Sequence, residues 1–165
     1  MALENTNTPT GLILSRQGIK DIPAKGGSRY QEALAAEKGG YLVKEVENPD
    51  VVLIANGSEV ATLIEAAKLL EENENLKVNI ASVISEGVFR LQSKEYQDSV
   101  IPKNKPLFGL TAGLPVNLEG LVGDKGKVFG LEHFGYSAPA TVLDDKFGFT
   151  GEKVSQQVLA YLKTV

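Results

Sequence analysis

The sequence has no cysteine and no tryptophan, one histidine and one methionine, and only 7% aromatic residues. Without cysteine the chain forms neither a disulfide framework nor a metal site built on thiolates. Its apolar runs are a few residues long, so no transmembrane helix is predicted, and its first residues lack the charged and apolar regions of a signal peptide. These absences predict a cytoplasmic location.

The remaining composition is ordinary for a globular domain, with 42% hydrophobic residues, 23% charged residues and a net charge of −4. The length of 165 residues suits about one domain. An acidic balance disfavours nucleic acid and anionic membranes as partners, because both need a basic face. We therefore expect a single domain that binds neither.

Short apolar runs alternate with helical patterns from Gly40 onward. The run 51–55 is apolar throughout, as in a strand covered on both faces. Ser58 follows at an N-cap position, and apolar residues then recur at helical spacing: Val60, Leu63, Ile64, Ala67 and Leu70. Residues 76–83 supply a returning strand, which is parallel to the first if the crossover is this helix.

Further strands are predicted at 41–46, 106–110 and 127–131, with a short helix near 116–121. A final helix begins after Thr150, its candidate N-cap, and its buried face is expected to carry Val154, Val158, Tyr161 and Leu162. The whole pattern predicts an α/β fold with parallel strands.

The first 39 residues differ from the rest. Residues 1–10 are polar, residues 11–15 read as a short apolar strand, and glycines and prolines surround one helix-capable run at 30–38. We assign 1–39 to a leader and interdomain linker, and 40–165 to the domain itself.

Three motifs carry a family resemblance. They are Ser15-Arg16-Gln17, Phe134-Gly135-Tyr136-Ser137-Ala138-Pro139 and Phe147-Gly148-Phe149-Thr150. Transketolases have Ser-Arg-Gln at the junction leading into their last domain, and later Phe-Gly-x-Ser-Ala-Pro and Phe-Gly-Phe-Thr before a final helix. Two further similarities lie at 55–60 and 96–102. The chain therefore resembles the C-terminal domain of transketolases over nearly its whole length from Pro9.

The resemblance implies a three-layer sandwich with a five-stranded, mainly parallel mixed sheet. It assigns the leader strand to the end of a preceding pyrimidine-binding domain. A complete transketolase is a homodimer that needs thiamine diphosphate and Mg²⁺, and it transfers a two-carbon ketol unit between sugar phosphates in the pentose phosphate pathway. This chain would be its C-terminal domain, as a fragment or a split subunit, packing against the missing N-terminal domains and a second subunit.

No residue that holds the cofactor or metal in this family matches a position here, so we expect no catalytic, cofactor-binding or metal-binding residue, and an inactive isolated chain. Arg16 is the candidate substrate-phosphate-binding residue. The resemblance places it at the mouth of the active-site channel, and a guanidinium grips a phosphate with two parallel hydrogen bonds. The alternative for Arg16 is an interdomain salt bridge.

The other candidate positions favour structural roles. The turn 56–58 could offer backbone N–H groups to an anion, but a helix capped by its own serine is the commoner case. The single histidine, His133, cannot build a zinc site alone, and the carboxylates Glu132, Asp144 and Asp145 are typical of solvated turns or helix ends.

The Phe134–Pro139 motif is predicted to serve packing. Gly135 would adopt a positive φ, Ser137 would cap the next element, and Pro139 would begin a helix. A different class of function remains open, because the same fold serves in other proteins. It is a free-standing, non-catalytic binding or regulatory module for a small anion or a protein.

Overall fold

The computed structural model describes residues 3–15 and 18–165. Within them five strands form one sheet in the order β1-β3-β2-β4-β5. The strands are β1 (Tyr41–Lys44), β2 (Val51–Ala55), β3 (Val78–Ser82), β4 (Leu107–Leu110) and β5 (Lys127–Phe129). Strands β2 to β5 run parallel to one another, and β1 runs antiparallel to β3. The predicted five-stranded, mainly parallel mixed sheet is confirmed.

The described residues also form seven α-helices and one 3₁₀-helix. The helices are α1 (Arg29–Ala33), the 3₁₀-helix (Leu34–Lys38), α2 (Glu59–Glu74), α3 (Glu86–Arg90), α4 (Lys94–Val100), α5 (Val116–Val122), α6 (Ala140–Phe147) and α7 (Gly151–Leu162). The predicted run 30–38 is thus divided between α1 and the tighter 3₁₀-helix, which ends at Gly39 with φ 81°.

Strand β2 shows why the sheet lies in the centre of the fold. All five of its side chains are buried. Val51, Leu53 and Ala55 face a cluster that includes α2 and α7, whereas Val52 and Ile54 face one that includes α3 and α5. Successive side chains of a strand point to opposite faces, so an apolar run with this alternation needs a helix layer on each side. The result is the predicted three-layer sandwich.

The two predicted helix caps differ in outcome. Thr150 caps α7 as predicted, because its hydroxyl accepts a hydrogen bond from the Lys153 N–H at 3.3 Å. Ser58 holds the N-cap position of α2, but its hydroxyl donates to the Glu59 carboxylate at 2.9 Å and does not cap the helix. The Ser58 hydroxyl is oriented toward the neighbouring carboxylate and accepts no backbone N–H of α2.

The predicted strand at 11–15 is absent. Leu12, Ile13 and Leu14 are exposed, and the segment pairs with neither edge of the sheet. A strand exists only when it pairs with another, so apolar composition alone does not make one.

The linker lies against α2. Ile22 packs on the core, Lys20 pairs with Glu65 at 3.5 Å, and Lys25 pairs with Glu45 at 2.9 Å. No helix in the described ranges, 3–15 and 18–165, is long and apolar enough to cross a membrane.

Candidate functional site

The sheet has a topological switch point between β2 and β4. The helix that follows β2 is α2, on one face, and the helix that follows β4 is α5, on the other face. In open α/β sheets such a divergence opens a crevice at the carboxyl ends of the two strands, where ligands bind. In this sheet residues 56–58 follow β2 and residues 111–113 follow β4, so these two turns flank the switch point.

The 56–58 turn carries its own negative charge. Gly57 has φ 58°, a conformation that glycine adopts without strain, and α2 starts two residues later. The Glu59 carboxylate lies in the first turn of α2, where the helix dipole favours an anion. An added phosphate would meet this carboxylate, so the turn is poorly suited to an anionic ligand.

The turn after β4 is held by Thr111. This buried residue donates its backbone N–H to the Phe129 carbonyl at 3.0 Å, and its hydroxyl accepts a hydrogen bond from the Gly113 N–H at 3.1 Å. Both bonds are within the domain. Thr111 therefore fixes the conformation of the turn on the β4 side of the switch point.

The single histidine lies on the exposed segment that follows β5. The His133 ring packs on Phe147 at a tilt of 50° with centroids 5.3 Å apart, and its Nδ1 lies 2.8 Å from the Phe134 carbonyl oxygen, to which the Nδ1–H tautomer donates. Neither contact is to a nucleophile or to another metal-ligating group. The structure gives His133 the surroundings of a stacking residue.

The candidate carboxylates are dispersed. Glu132 is exposed on the segment after β5, and Asp145 pairs with Lys153 at 2.9 Å. The Asp144 carbonyl accepts the Phe149 N–H at the end of α6. Across the part of the chain that the structure describes, no group of three His, Cys, Asp or Glu residues could hold a metal ion.

Arg16, the candidate phosphate ligand, lies outside the described residues. Its described neighbours Ser15 and Gly18 are exposed.

One perturbed group had no signal in the sequence. Burial and the nearby charges of Arg90 and Lys94 lower the pKa of Lys103, which donates a hydrogen bond to the Leu121 carbonyl. These residues come from α3, α4 and α5 and the loops between them. Only the packing of these elements on one face of the sheet brings them together, so no local pattern could reveal the cluster.

The order of the strands, the antiparallel edge strand β1 and the β2/β4 switch point define a class of doubly wound α/β domain. Residues 39–150 match the family model described as the transketolase-like TK C-terminal domain. The chain belongs to this family.

Similar proteins agree with this assignment. The chain is 37% identical over 164 residues to the transketolase of Staphylococcus aureus (strain MW2), and the alignment covers 97% of this chain and 24% of that protein. The structure of the H261F transketolase mutant from Pichia stipitis matches 90% of this chain and 21% of its own, with 28% identity and a TM-score of 0.78.

A split gene transketolase described as an inactive beta4 tetramer has the same fold. Its TM-score is 0.65 at 19% identity, and the match covers 90% of this chain and 48% of that one. The chain spans about a quarter of the length of the curated relatives it matches.

Proposed function

We propose that this chain acts as the C-terminal domain of a transketolase. It supports two-carbon ketol transfer between sugar phosphates by packing against the other transketolase domains, contributing to a dimer and contacting the substrate phosphate. The observation that carries this proposal is the 37% identity to the Staphylococcus aureus transketolase, which extends over 97% of this chain and so includes more than the family's conserved domain core.

The proposal places the cofactor elsewhere. Thiamine diphosphate stabilises a carbanion in the reactions it serves, and Mg²⁺ accompanies it in this family. The described residues present no cluster suited to a metal ion, and the sequence has no Gly-x-Gly-x-x-Gly or Walker-type phosphate loop. We assign both groups to the other domains, and we assign no step through them to this chain.

Arg16 would contact the substrate. Its guanidinium would bind the terminal phosphate of a donor or acceptor sugar and so orient the substrate from the end remote from the reacting carbonyl. An unphosphorylated sugar has no group to occupy this contact.

A chimera tests this role, with this chain replacing the aligned 164 residues of the Staphylococcus aureus transketolase. Arg16→Ala removes one charge-assisted contact worth about 1.5–3 kcal/mol, which corresponds to a rise in KM of about 10- to 150-fold for phosphorylated ketoses. The KM for unphosphorylated ketoses should change little. Steady-state kinetics with both kinds of substrate measure the difference.

Lys20→Ala is the control for loss of positive charge in the leader. Lys20 is 89% exposed and pairs only loosely with Glu65, so both KM values should stay unchanged. If Arg16→Ala weakened both kinds of substrate equally, the phosphate role would be wrong and Arg16 would be an interdomain structural residue.

Calorimetry tests the assignment of the cofactor to the other domains. Titrating the isolated chain with thiamine diphosphate and Mg²⁺ should give no saturable heat. Micromolar affinity would contradict the assignment of the cofactor to other domains.

A further inference from the structure

The Phe134–Pro139 motif is the feature that the domain's own packing leaves unexplained. Phe134 is 97% exposed and Tyr136 is 61% exposed, and no residue of the fully described stretch 131–147 is buried. Gly135 does not have a positive φ, and α6 begins after Pro139 without a side-chain cap. The positive φ predicted for Gly135 and the cap predicted for Ser137 are therefore wrong, and within the domain the motif packs through Tyr136 while Phe134 is left uncovered.

The exposed segment has a defined shape nonetheless. Tyr136 stacks on Phe147 of α6 with centroids 5.7 Å apart, and the Lys146 ammonium lies 4.8 Å from the centre of the Tyr136 ring. His133 packs on the same Phe147 ring. These contacts hold the segment against one side of α6 and leave its other side open.

A second exposed loop lies beside the first. The Leu131 N–H donates to the Gly113 carbonyl at 2.9 Å, so the segment after β5 adjoins the turn after β4. Beyond that turn, Leu114 is 55% exposed and Val116 is 63% exposed. We call Leu114, Val116, Phe134 and Tyr136 the carboxyl-edge surface, because all four follow the carboxyl ends of β4 and β5.

The opposite edge of the sheet is different in character. The residues that precede β2, β3, β4 and β5 there include the charged side chains of Asp50, Lys77, Lys105, Asp124 and Lys125. Charged turns are well solvated without a partner, whereas clustered exposed apolar side chains mark a surface that another protein surface covers.

The course of the linker indicates what covers the carboxyl-edge surface. Lys25 shares a cleft with Ile64, Lys68 and Glu71 of α2, and it pairs with Glu45, which lies toward the opposite edge because β1 is antiparallel. Lys20 contacts Glu65, in the half of α2 nearer its start. Because α2 starts at the carboxyl edge, the chain approaches that edge when followed toward its N-terminus. The similar transketolases have about three quarters of their length outside the region that matches this chain.

We propose that the carboxyl-edge surface is where this domain docks onto the remaining domains of a transketolase. This inference rests on the proposed function and adds the residues that make the contact. The Phe134 ring would enter an apolar pocket of the other domains, with Leu114, Val116 and Tyr136 around it. A buried aromatic anchor of this kind commonly dominates an interface.

Hydrogen–deuterium exchange on the isolated chain and on the chimera tests the surface directly. In the chimera the amides of 114, 116, 117 and 132–138 should exchange at least about tenfold more slowly than in the isolated chain. The amides of 123–126, at the opposite edge, should exchange equally in both. Protection at 123–126 with none at 132–138 would overturn the proposal.

Phe134→Ser supplies the matched variant, with Val165→Ser as its control. Val165 is 63% exposed and lies beside Lys125 at the opposite edge. Phe134→Ser should abolish most of the added protection at 132–138, and Val165→Ser should leave it intact. Both variants of the isolated chain should unfold like the parent, because neither side chain is buried in it.

Two further outcomes distinguish a failure of the docking surface from a failure of the proposed function. Protection at 132–138 in a chimera without ketol transfer would keep the docking surface and contradict the proposed function. Protection that rises with concentration in the isolated chain, with none added in the chimera, would assign the surface to a second copy of this chain and overturn the proposal.

Discussion

Strand β4 and the segment 131–147 both contain a phenylalanine followed by glycine, in opposite surroundings. Phe108 is fully buried against Tyr161, and Gly109 lies where an added methyl group would press on Val128 and Leu118. Phe134 is 97% exposed, and nothing lies within 4 Å of a methyl group placed on Gly135. The same dipeptide, Phe-Gly, is therefore part of the hydrophobic core in β4 and part of an exposed surface in the segment 131–147.

The difference comes from the neighbours. Strand β4 is paired on both sides, by β2 and β5, and is covered on both faces by helices. The segment 131–139 rests on α6 and on the turn after β4, and α6 itself is tied to α7 by the ion pair between Asp145 and Lys153. Whether a hydrophobic residue is buried depends on the elements packed around it, so its residue type alone does not predict its burial.

The largest expected effect contrasts the two phenylalanines. Phe108→Ala should lower the free energy of unfolding by about 3–5 kcal/mol, because it removes a buried ring and leaves a cavity. Phe134→Ala should change it by less than about 0.5 kcal/mol. Denaturant unfolding of the isolated chain measures both, and similar losses would show that the segment packs within the domain after all.

The next effect contrasts two glycines. Gly39 has φ 81°, and a methyl group there would lie 2.4 Å from the Phe89 nitrogen, so Gly39→Ala should cost at least about 1–3 kcal/mol. Gly135→Ala should be neutral or stabilise by about 0.4–1 kcal/mol through the unfolded chain. Unfolding curves check this, and a neutral Gly39→Ala would mean that the linker can shift away from α3.

Two helix starts give a smaller contrast. Thr150→Ala should destabilise by about 0.5–2 kcal/mol, because it removes the cap bond to the Lys153 N–H. Ser58→Ala should cost less, because the Ser58 hydroxyl bonds only the Glu59 carboxylate. Equal losses in thermal unfolding would indicate that Ser58 caps α2 in solution.

The smallest effect depends on pH. The Tyr96 hydroxyl donates to the Gly40 carbonyl at 2.8 Å, so Tyr96→Phe should cost about 0.5–1.5 kcal/mol at pH 7. Burial raises the pKa of Tyr96 above its ordinary value of 10.0, so the unfolded chain ionises first as the pH rises.

The stability that Tyr96 contributes is therefore fully present below pH 10 and is lost as the pH rises through the higher pKa of the folded state, so the difference in stability between parent and variant should narrow above pH 10. Urea unfolding at pH 7 and pH 10.5 measures this. Tyr136→Phe is the matched control, since Tyr136 is 61% exposed, and it should leave stability unchanged at both values. A gap that widens with pH would contradict the assigned sign.

Much of the central fold could be predicted from local patterns. The run 51–55 coincides with β2, and Val60, Leu63, Ala67 and Leu70 of the predicted helix face are all buried in α2. Thr150 caps α7 because the cap is a contact between residues three apart. Such features depend on residues close in sequence, so they can be predicted without knowledge of the tertiary structure.

Less of the candidate site could be predicted in this way. The predicted strand 11–15 is absent because pairing requires a second strand, and Phe134 stays exposed because burial requires a covering layer. The proximity of Lys103 to Arg90 and Lys94 arises from three elements packed on one face. Arg16 lies outside the described residues, so its phosphate role stays a prediction.

By itself the sequence determined the family resemblance, the parallel α/β class and the places where most strands and helices form, because periodicity and capping act between residues close in the chain. Only the tertiary structure decided which apolar residues are buried. It placed Phe108 between two helix layers and left Phe134 open at the carboxyl edge. The physical reason is that burial depends on residues distant in sequence, which only the folded sheet and its helix layers bring together.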